Sequence, residues 1–260
     1  MTAVEDRGES VGLMEPMRMP EGGPKAEKLT DLAVDLAEAS AKLSRSLPVP
    51  IVVALADLVR SMNCYYSNLI EGHDTHPIDI DRALKQDYSR DPKKRNLQIE
   101  ALAHIDVQRW IDLGGMTGPA TDTTTVLEIH RRFCEALPDD FLFTEHPGSS
   151  NRIKVVPGAL RKNDVKVGRH LPVSPGAISR FMARFEAAYR NLGRTQALIA
   201  AAAAHHRLLW IHPFLDGNGR VARLMSHAML SNALTTGGIW SVARGLARND
   251  TDYKLHLMAC

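Results

Sequence analysis

The spacing of apolar residues predicts a chain built mostly of helices. Between Leu29 and Leu43, leucine and alanine recur at alternating steps of three and four, as on one face of an amphipathic helix. Thr30 or Asp31 is the expected N-cap of that helix. Further helical patterns cover residues 51–70, 97–113, 124–137, 177–192, 195–210 and 220–234, and a last helix is expected from residue 250 onward.

One stretch breaks this helical spacing. Apolar and polar residues alternate over three short runs, Ile153–Val156, Ala159–Arg161 and Val165–Val167. Lys162–Asp164 has the composition of a turn, so the last two runs predict a β-hairpin. Pro138–Asn151, ahead of these runs, is expected to be loop. The predicted fold is therefore mostly α, a helical bundle with one β-hairpin.

Composition and charge are those of an ordinary soluble globular protein. Of the 260 residues, 44% are hydrophobic and 24% are charged. The net charge of +2 argues against a dedicated nucleic-acid binder, which usually carries a strong basic excess. The basic run Arg90–Arg95 is accordingly expected to be a solvated loop.

The cysteines and the chain ends bear on location. Cys64, Cys134 and Cys260 are widely spaced and form no metal-ligand pattern, which favours a reducing, cytoplasmic setting. No apolar run approaches the roughly 20 residues of a membrane span. Residues 1–24 lack the apolar core of a secretory signal and are expected to form a mobile leader. The last predicted helix is still in progress at Cys260, as in a chain cut from a longer protein.

Residues 212–223 read HPFLDGNGRVAR and predict a phosphate site with a base beside it. Gly217 and Gly219 let backbone N–H groups approach a ligand, and the helix that follows offers more unpaired N–H groups. Arg220 and Arg223 are three residues apart on one helix face, which suits a polyphosphate.

Two further residues of this motif have the chemistry that such a site needs. Asp216 can hold Mg²⁺ against phosphate oxygens, and His212 has the unperturbed pKa of a base at neutral pH. Separately, a Gly-Asn-Gly turn is usually only a turn, and a histidine after a helix usually only caps it. Their combination at fixed spacing favours the functional interpretation.

The motif resembles the signature of the Fic family, H-x-F-x-[D/E]-G-N-G-R-x-x-R, at every fixed position. Thr125–Arg132 is similar to the core helix that precedes the signature in that family, and Leu160–Pro172 is similar to its flap hairpin. The resemblance implies a Fic-fold helical bundle that transfers AMP from ATP to a Ser, Thr or Tyr hydroxyl of a protein. It also implies Mg²⁺, or Mn²⁺ in its place, and release of pyrophosphate.

The resemblance assigns a role to each motif residue. His212 is the expected general base, Phe214 a packing residue and Asp216 the metal ligand. The nucleotide-binding residues that it implies are Gly217, Asn218, Gly219, Arg220 and Arg223 in the motif, Val167, Gly168, Arg169 and His170 in the flap, and Tyr253 beside the adenine. Within this set Arg220 is expected to meet the γ-phosphate. Gly219 favours AMP transfer, since family members that phosphorylate tend to carry Lys there.

Ser67, Glu71 and Gly72 form a second motif far upstream, which resembles the inhibitory [S/T]-x-x-x-E-[G/N] of the same family. Without the downstream motif, Glu71–Gly72 reads simply as a helix that ends on a glycine cap. With it, the resemblance implies a carboxylate that competes with ATP, and we expect a bidentate pair between Glu71 and Arg220.

The expected organisation is a leader over 1–24, helices with the inhibitory motif over 25–95, and a Fic core over 96–260. This core contains the flap (about 152–170) and the catalytic loop (212–223). Two other functions stay open: removal of AMP from a modified protein at the same site, and nucleotide sensing without catalysis. His205 and His206 point in different directions on a helix, which disfavours a metal site there. The expected partner is a target protein docked on the flap, with self-modification and a homodimer as further options.

Overall fold

The computed structural model describes residues 4–145, 152–234 and 238–258, and helices dominate this part of the chain as predicted. Its ten α-helices are α1 (Pro24–Ser46), α2 (Val49–Ile70), α3 (Pro77–Leu84), α4 (Pro92–Asp112), α5 (Thr123–Glu135), α6 (Ile178–Tyr189), α7 (Arg194–Ile211), α8 (Asn218–Ala233), α9 (Val242–Arg248) and α10 (Asp250–Met258). Over the same ranges, no helix has both the length and the apolar character that a membrane crossing needs.

Helix α8 lies at the centre of the bundle. It is buried on nearly every side, and α4, α5 and α7 all contact it. A helix enclosed in this way must be apolar around most of its surface or have partners for its polar groups. Fully buried aromatic side chains, among them Phe133 of α5 and Phe181 of α6, fill the surrounding core. This packing fixes the position of the loop between α7 and α8, where the motif begins.

Helix α2 approaches the same loop from another side. It packs on α4 and α9 and ends at Ile70, followed by Gly72 with a φ of 78°. Glu71 is the C-cap of α2, and the left-handed glycine directly after it ends the helix as the sequence predicts. The end of α2 therefore brings the upstream motif toward the first turn of α8.

The described residues form one two-stranded antiparallel hairpin, in agreement with the predicted fold, but its strands are not the expected ones. Strand β1 (Phe143–Glu145) pairs antiparallel with β2 (Arg152–Lys154), so that Thr144 lies opposite Ile153. β1 falls within the stretch that we expected to be loop, whose residues 146–151 lie outside the described residues.

The predicted pairing of residues 159–161 with 165–167 is wrong. The backbone N–H of Arg161 donates to the carbonyl of Pro213 (2.9 Å), and its guanidinium donates to three further carbonyls. The hydrogen bonds of this segment therefore go to the motif and to neighbouring turns, so no second ladder forms. Only Val167 and His170 bridge each other, around Gly168.

The prediction of a mobile leader is also wrong, because residues 4–23 pack along α6. Met14 and Met17 are buried in the main core. Arg180 of α6 forms a bidentate pair with Asp6 (2.5 and 2.8 Å), and Arg184 pairs with Glu15. Composition could not predict this contact, because the arginines that pair with Asp6 and Glu15 lie more than 160 positions after them in the chain.

Several boundaries also differ from the expected ones. α1 begins at Pro24 after Gly23, not at Thr30 or Asp31, since proline suits the first turn of a helix. The run expected as a basic loop contains the N-cap of α4, Asp91, whose carboxylate accepts from Lys93 N (2.9 Å). Helices α3 and α9 are additional to those predicted.

Candidate active site

The loop between α7 and α8 turns through two left-handed residues. His212 caps α7 with φ 51° and ψ 63°, a conformation that is uncommon outside glycine. Gly217 has φ 79° at the N-cap of α8, where a side chain would be strained. The loop therefore places a histidine at the end of one helix and the N-terminus of the next helix a few residues away.

Asn218 fixes the shape of this loop. Its Oδ1 accepts from the N–H of Phe214 (3.0 Å), and its Nδ2 donates to the carbonyl of the same residue (2.9 Å). The side chain is buried and both of its polar atoms are used within the loop. Of the groups of Asn218, only its backbone N–H is therefore left for the phosphate contact that we expected there.

His130 of α5 packs against this loop. The sequence motifs did not identify it. Its ring stacks on Phe214, with ring centroids 3.8 Å apart and parallel planes. Nδ1 accepts from the N–H of Gly158 (2.9 Å), and Nε2 lies 3.2 Å from the carbonyl of Asp216. Burial lowers the pKa of His130 to about 4, so the ring is neutral near pH 7 and Nε2–H donates.

A sequence signal for His130 did exist. It lies between Ile129 and Phe133 on the buried face of α5, where an unexplained polar residue calls for a partner. Its partners come from the motif and from the loop after β2, neither of which the helical pattern reveals.

The ring of His212 is neutral near pH 7, and only its Nδ1 has a hydrogen-bond partner among the described residues. Nδ1 lies 3.3 Å from the carbonyl of Leu209, so an N–H there leaves Nε2 as the free acceptor. Burial lowers the pKa of His212 to about 4, and the nearby Arg161 charge acts in the same direction. Arg161 also donates from Nε to the carbonyl of His212 (2.7 Å), which holds its backbone in place.

The upstream motif contacts Arg223, and the predicted pair between Glu71 and Arg220 is wrong. Arg223 Nη2 lies 2.5 Å from Glu71 Oε1, and Arg223 Nε donates to the hydroxyl of Ser67 (2.8 Å). Ser67 and Glu71 are one helical turn apart on α2 and therefore reach the same guanidinium. That guanidinium belongs to Arg223 because α2 approaches α8 from the side on which this residue projects.

The Glu71 carboxylate also lies over the start of α8. A Cβ built on Gly219 would lie 2.2 Å from Glu71 Oε1, far inside van der Waals contact. Although burial raises it, the charges of Arg223 and Arg220 hold the pKa of Glu71 below its usual value, so the group is ionised near neutral pH. A helix N-terminus attracts anions, and here an anion of the chain itself lies at that position.

Arg220 has a different partner, which the sequence analysis missed. Its Nη2 pairs with Oε1 of Glu100, a buried residue of α4, and lies 3.0 Å from His73 Nδ1. Its guanidinium also faces the ring of Phe133, at 5.4 Å from the centroid. No spacing pattern marks Glu100, because its role depends on how α4 packs against α8.

A cleft of about 500 Å³ opens beside Arg220. Its lining includes His73, Glu100, Phe133, Asp216 and Gly217. Asp216 is exposed, and its Oδ1 accepts from the N–H of Gly217 (2.7 Å). Over the described residues, no cluster of three or more His, Cys, Asp or Glu side chains forms a protein-only metal site. A single carboxylate next to a phosphate cradle still fits Mg²⁺, which commonly takes most of its ligands from phosphate and water.

The Fic/DOC family model matches residues 120–230, from the start of α5 into the last turns of α8. The chain contains a Fic domain. The protein adenylyltransferase Fic of Drosophila erecta is 41% identical over 78 residues, and that of Drosophila melanogaster is 43% identical over 79 residues. Each alignment covers 29% of this chain but only 16% of the relative.

Solved structures show the same fold at low sequence identity. A Fic family protein from Desulfovibrio desulfuricans G20 aligns over 92% of this chain and 67% of its own, with a TM-score of 0.66 and 17% identity. A Fic domain containing signaling protein from Bacteroides thetaiotaomicron VPI-5482 aligns over 86% and 80%, with a TM-score of 0.60 and 19% identity. The helical architecture of the Fic domain thus extends well beyond the segment that is similar in sequence.

The segment that is expected to form the flap lies at the C-terminal end of α7. His170 Nε2 lies 2.8 Å from the carbonyl of Trp210, two residues before His212. The three flap residues before it, Val167, Gly168 and Arg169, are exposed. The flap is therefore attached to the motif at its base and open along its edge.

Tyr253 of α10 lies close to Arg223. Burial raises the pKa of its hydroxyl, against the opposing charge of Arg223. That hydroxyl lies 2.7 Å from Nε2 of His205, whose Nδ1 lies 3.0 Å from Ser226 Oγ on α8. His205 thus joins α7, α8 and α10 by hydrogen bonds, a role that composition did not suggest.

Proposed function

We propose that this chain is an autoinhibited protein adenylyltransferase. It transfers AMP from ATP to a Ser, Thr or Tyr hydroxyl of a protein and releases pyrophosphate. One observation carries the proposal: the carboxylate of Glu71 lies over Gly219 and pairs with Arg223, at the start of a helix suited to phosphate. The names of the curated relatives, protein adenylyltransferases, support the reaction class.

The chemical step needs one base and a preorganised cradle. His212 Nε2 takes the proton of the incoming hydroxyl while its oxygen bonds to the α-phosphorus. The bond from that phosphorus to the bridging oxygen of the β-phosphate breaks, and pyrophosphate leaves with the electron pair. A neutral imidazole suits this role, because burial keeps the proton off His212 near pH 7. The N–H groups at the start of α8 and the arginines hold the phosphates through the transfer.

Asp216 is the residue proposed to hold Mg²⁺. Its side chain is exposed beside the cleft, and its second oxygen is not needed by the bond to Gly217 N–H. When bound, the ion neutralises phosphate charge and helps pyrophosphate to leave.

Inhibition acts through Arg223 and through the helix N-terminus together. A nucleotide phosphate at the start of α8 meets the ionised Glu71, so two anions compete for one position. Arg223 is meanwhile bound to Ser67 and Glu71 and cannot turn to the phosphate chain. ATP that does bind is displaced from the line of attack, and an error of about 1 Å can lower a rate by about a hundredfold.

The test is self-labelling with an ATP analogue, followed by mass spectrometry for an added AMP group. Glu71→Gly should raise labelling by at least about tenfold, and His212→Ala in that background should abolish it. Asp74→Ala is the matched control, since Asp74 is an exposed acid three residues further along the chain. Equal labelling of the wild type and Glu71→Gly would refute the inhibitory role, and absence of labelling in every form, with or without a cell extract as a source of targets, would refute the transfer itself.

Removal of AMP from a modified protein is the second candidate. The observation that favours it is the ionised carboxylate of Glu71 at the phosphate position, which can orient a water molecule for attack. Incubation of a premodified target with the wild type and with Glu71→Gly separates the two activities. Loss of AMP only with the wild type would favour removal.

A further inference from the structure

The two arginines of the motif are bound by different parts of the structure. Arg223 is bound by Ser67 and Glu71, which belong to the end of α2. Arg220 is bound by Glu100, which belongs to α4 in the body of the bundle. The first contact can be released if the end of α2 moves, whereas the second cannot be released without disrupting the core.

Glu100 is among the most deeply buried charged residues of the chain, with 1% of its side chain exposed. Its Oε1 pairs with Arg220, and its Oε2 lies 2.7 Å from His73 Nδ1. A buried carboxylate is stable only with such partners, and separating Arg220 from it would leave two uncompensated charges. The pair therefore stays intact when a ligand enters the cleft.

Arg220 keeps one terminal nitrogen of its guanidinium, Nη1, for a ligand. Nη2 is taken by Glu100, and the face of the group lies on the ring of Phe133. Nε is buried and has no hydrogen-bond partner among the residues that the structure describes, and Nη1 donates to none of them either. An arginine held at one edge and one face has lost most of its conformational freedom before a phosphate arrives.

We infer that Glu100 is a positioning residue for polyphosphate binding: it holds Arg220 so that Nη1 remains available to the end of the triphosphate. The inference rests on the proposed function in one respect, that a nucleotide triphosphate binds beside α8. Glu100 does not contact the nucleotide and does not take part in the proton transfer. It acts only through Arg220.

The test compares ATP with AMP, because only ATP carries the phosphates that Arg220 is expected to meet. Both dissociation constants are measured by calorimetry on the full chain carrying Glu71→Gly, which opens the site. Adding Glu100→Gln should weaken ATP binding by about tenfold and change AMP binding by less than about twofold. Glu100→Asp keeps the charge on a shorter side chain. Its dissociation constant for ATP should lie between those of the Glu71→Gly chain with and without Glu100→Gln.

A double-mutant comparison shows whether Glu100 acts through Arg220. In a chain that already carries Arg220→Gln, Glu100→Gln should change ATP affinity by less than about twofold. Loss of affinity for ATP and AMP alike, or an additive loss in the double variant, would mean a general structural role and would overturn the inference. Tighter ATP binding in Glu100→Gln would also overturn it, since Glu100 would then be a competitor for Arg220.

The same measurements separate this inference from the proposed function. If the Glu71→Gly chain binds no ATP, the proposed nucleotide site is wrong. If it binds ATP and Glu100→Gln binds it equally well, only the role of Glu100 is wrong. Should Glu100→Gln fail to fold, as judged by thermal unfolding, the ratio of ATP to AMP affinity in Glu100→Asp decides in its place.

Discussion

The carboxylate of Glu71 lies in the space that a side chain at Gly219 would fill, since a Cβ there would approach Oε1 to 2.2 Å. Besides the access for phosphate that is proposed above, the glycine has a second effect. It leaves room for an acid from another helix to reach the start of α8. The proposed inhibition therefore depends on both residues, not on the glutamate alone.

We predict that Gly219→Ala displaces Glu71 and breaks its pair with Arg223. The first turn of α8 accepts alanine without backbone strain, because Gly219 does not have a positive φ. In a double-mutant cycle of urea unfolding, Gly219→Ala and Glu71→Gly should be coupled by about 1 kcal/mol. Additive effects would show that the new methyl group and the carboxylate do not meet.

Arg161 should be needed for the rate of AMP transfer but not for nucleotide affinity. Its guanidinium donates to the carbonyls of His212, Asn163 and Val173, and its backbone N–H donates to Pro213. Lysine has a single side-chain nitrogen and cannot donate to three carbonyls in this fixed planar arrangement. In the Glu71→Gly background, Arg161→Lys should slow labelling by about tenfold or more while ATP affinity changes by less than about twofold. Lys162→Ala, at the exposed neighbour, is the control, and a parallel loss of affinity would contradict a role limited to His212.

Buried histidines should make the fold sensitive to mild acid. Burial lowers the pKa of His130 to about 4, and those of His104 and His205 to about 3. In the unfolded chain these groups bind protons below about pH 6.5, whereas in the folded chain they stay neutral to much lower pH. Their contribution to stability is therefore complete above about pH 6.5 and falls as the pH drops toward the folded pKa.

The expected loss is about 1.4 kcal/mol per histidine for each pH unit below 6.5. Urea unfolding at pH 7.5 and 5.5 measures it directly. His104→Gln should reduce this dependence of the unfolding free energy on pH by the equivalent of one proton. A free energy of unfolding that is equal at the two pH values would mean that the histidines protonate within the folded state.

The N-terminal segment should contribute measurably to stability. Met14 is fully buried in the main core, whereas its neighbour Leu13 is 61% exposed. Met14→Ala should lower the free energy of unfolding by about 2 to 5 kcal/mol, and Leu13→Ala by less than about 0.5 kcal/mol. Equal effects of the two substitutions would show that the segment does not pack on α6 in solution.

Helices were predicted well because their pattern repeats within a few turns. The helices over residues 51–70, 124–137 and 195–210 match α2, α5 and α7 to within a few residues at each end. The α1 prediction gave the helix but not its buried face. Leu32 is 52% exposed, and the buried residues of α1 are Ala33 and Ser40. Apolar spacing shows that a face exists, but the packing of α1 against its neighbours decides which face is covered.

The motif from His212 to Arg223 was determined by the sequence itself. Its turn glycines, its helix N-terminus and the internal bonds of Asn218 all form between residues a few positions apart, so local geometry is enough to produce them. The partners of the motif were decided only by the tertiary structure. Arg223 meets Glu71 across 152 positions, and the distant residues His130 and Glu100 reach the motif only through α5 and α4. Contacts of this kind depend on the angles and offsets at which helices pack, which no spacing along the chain encodes.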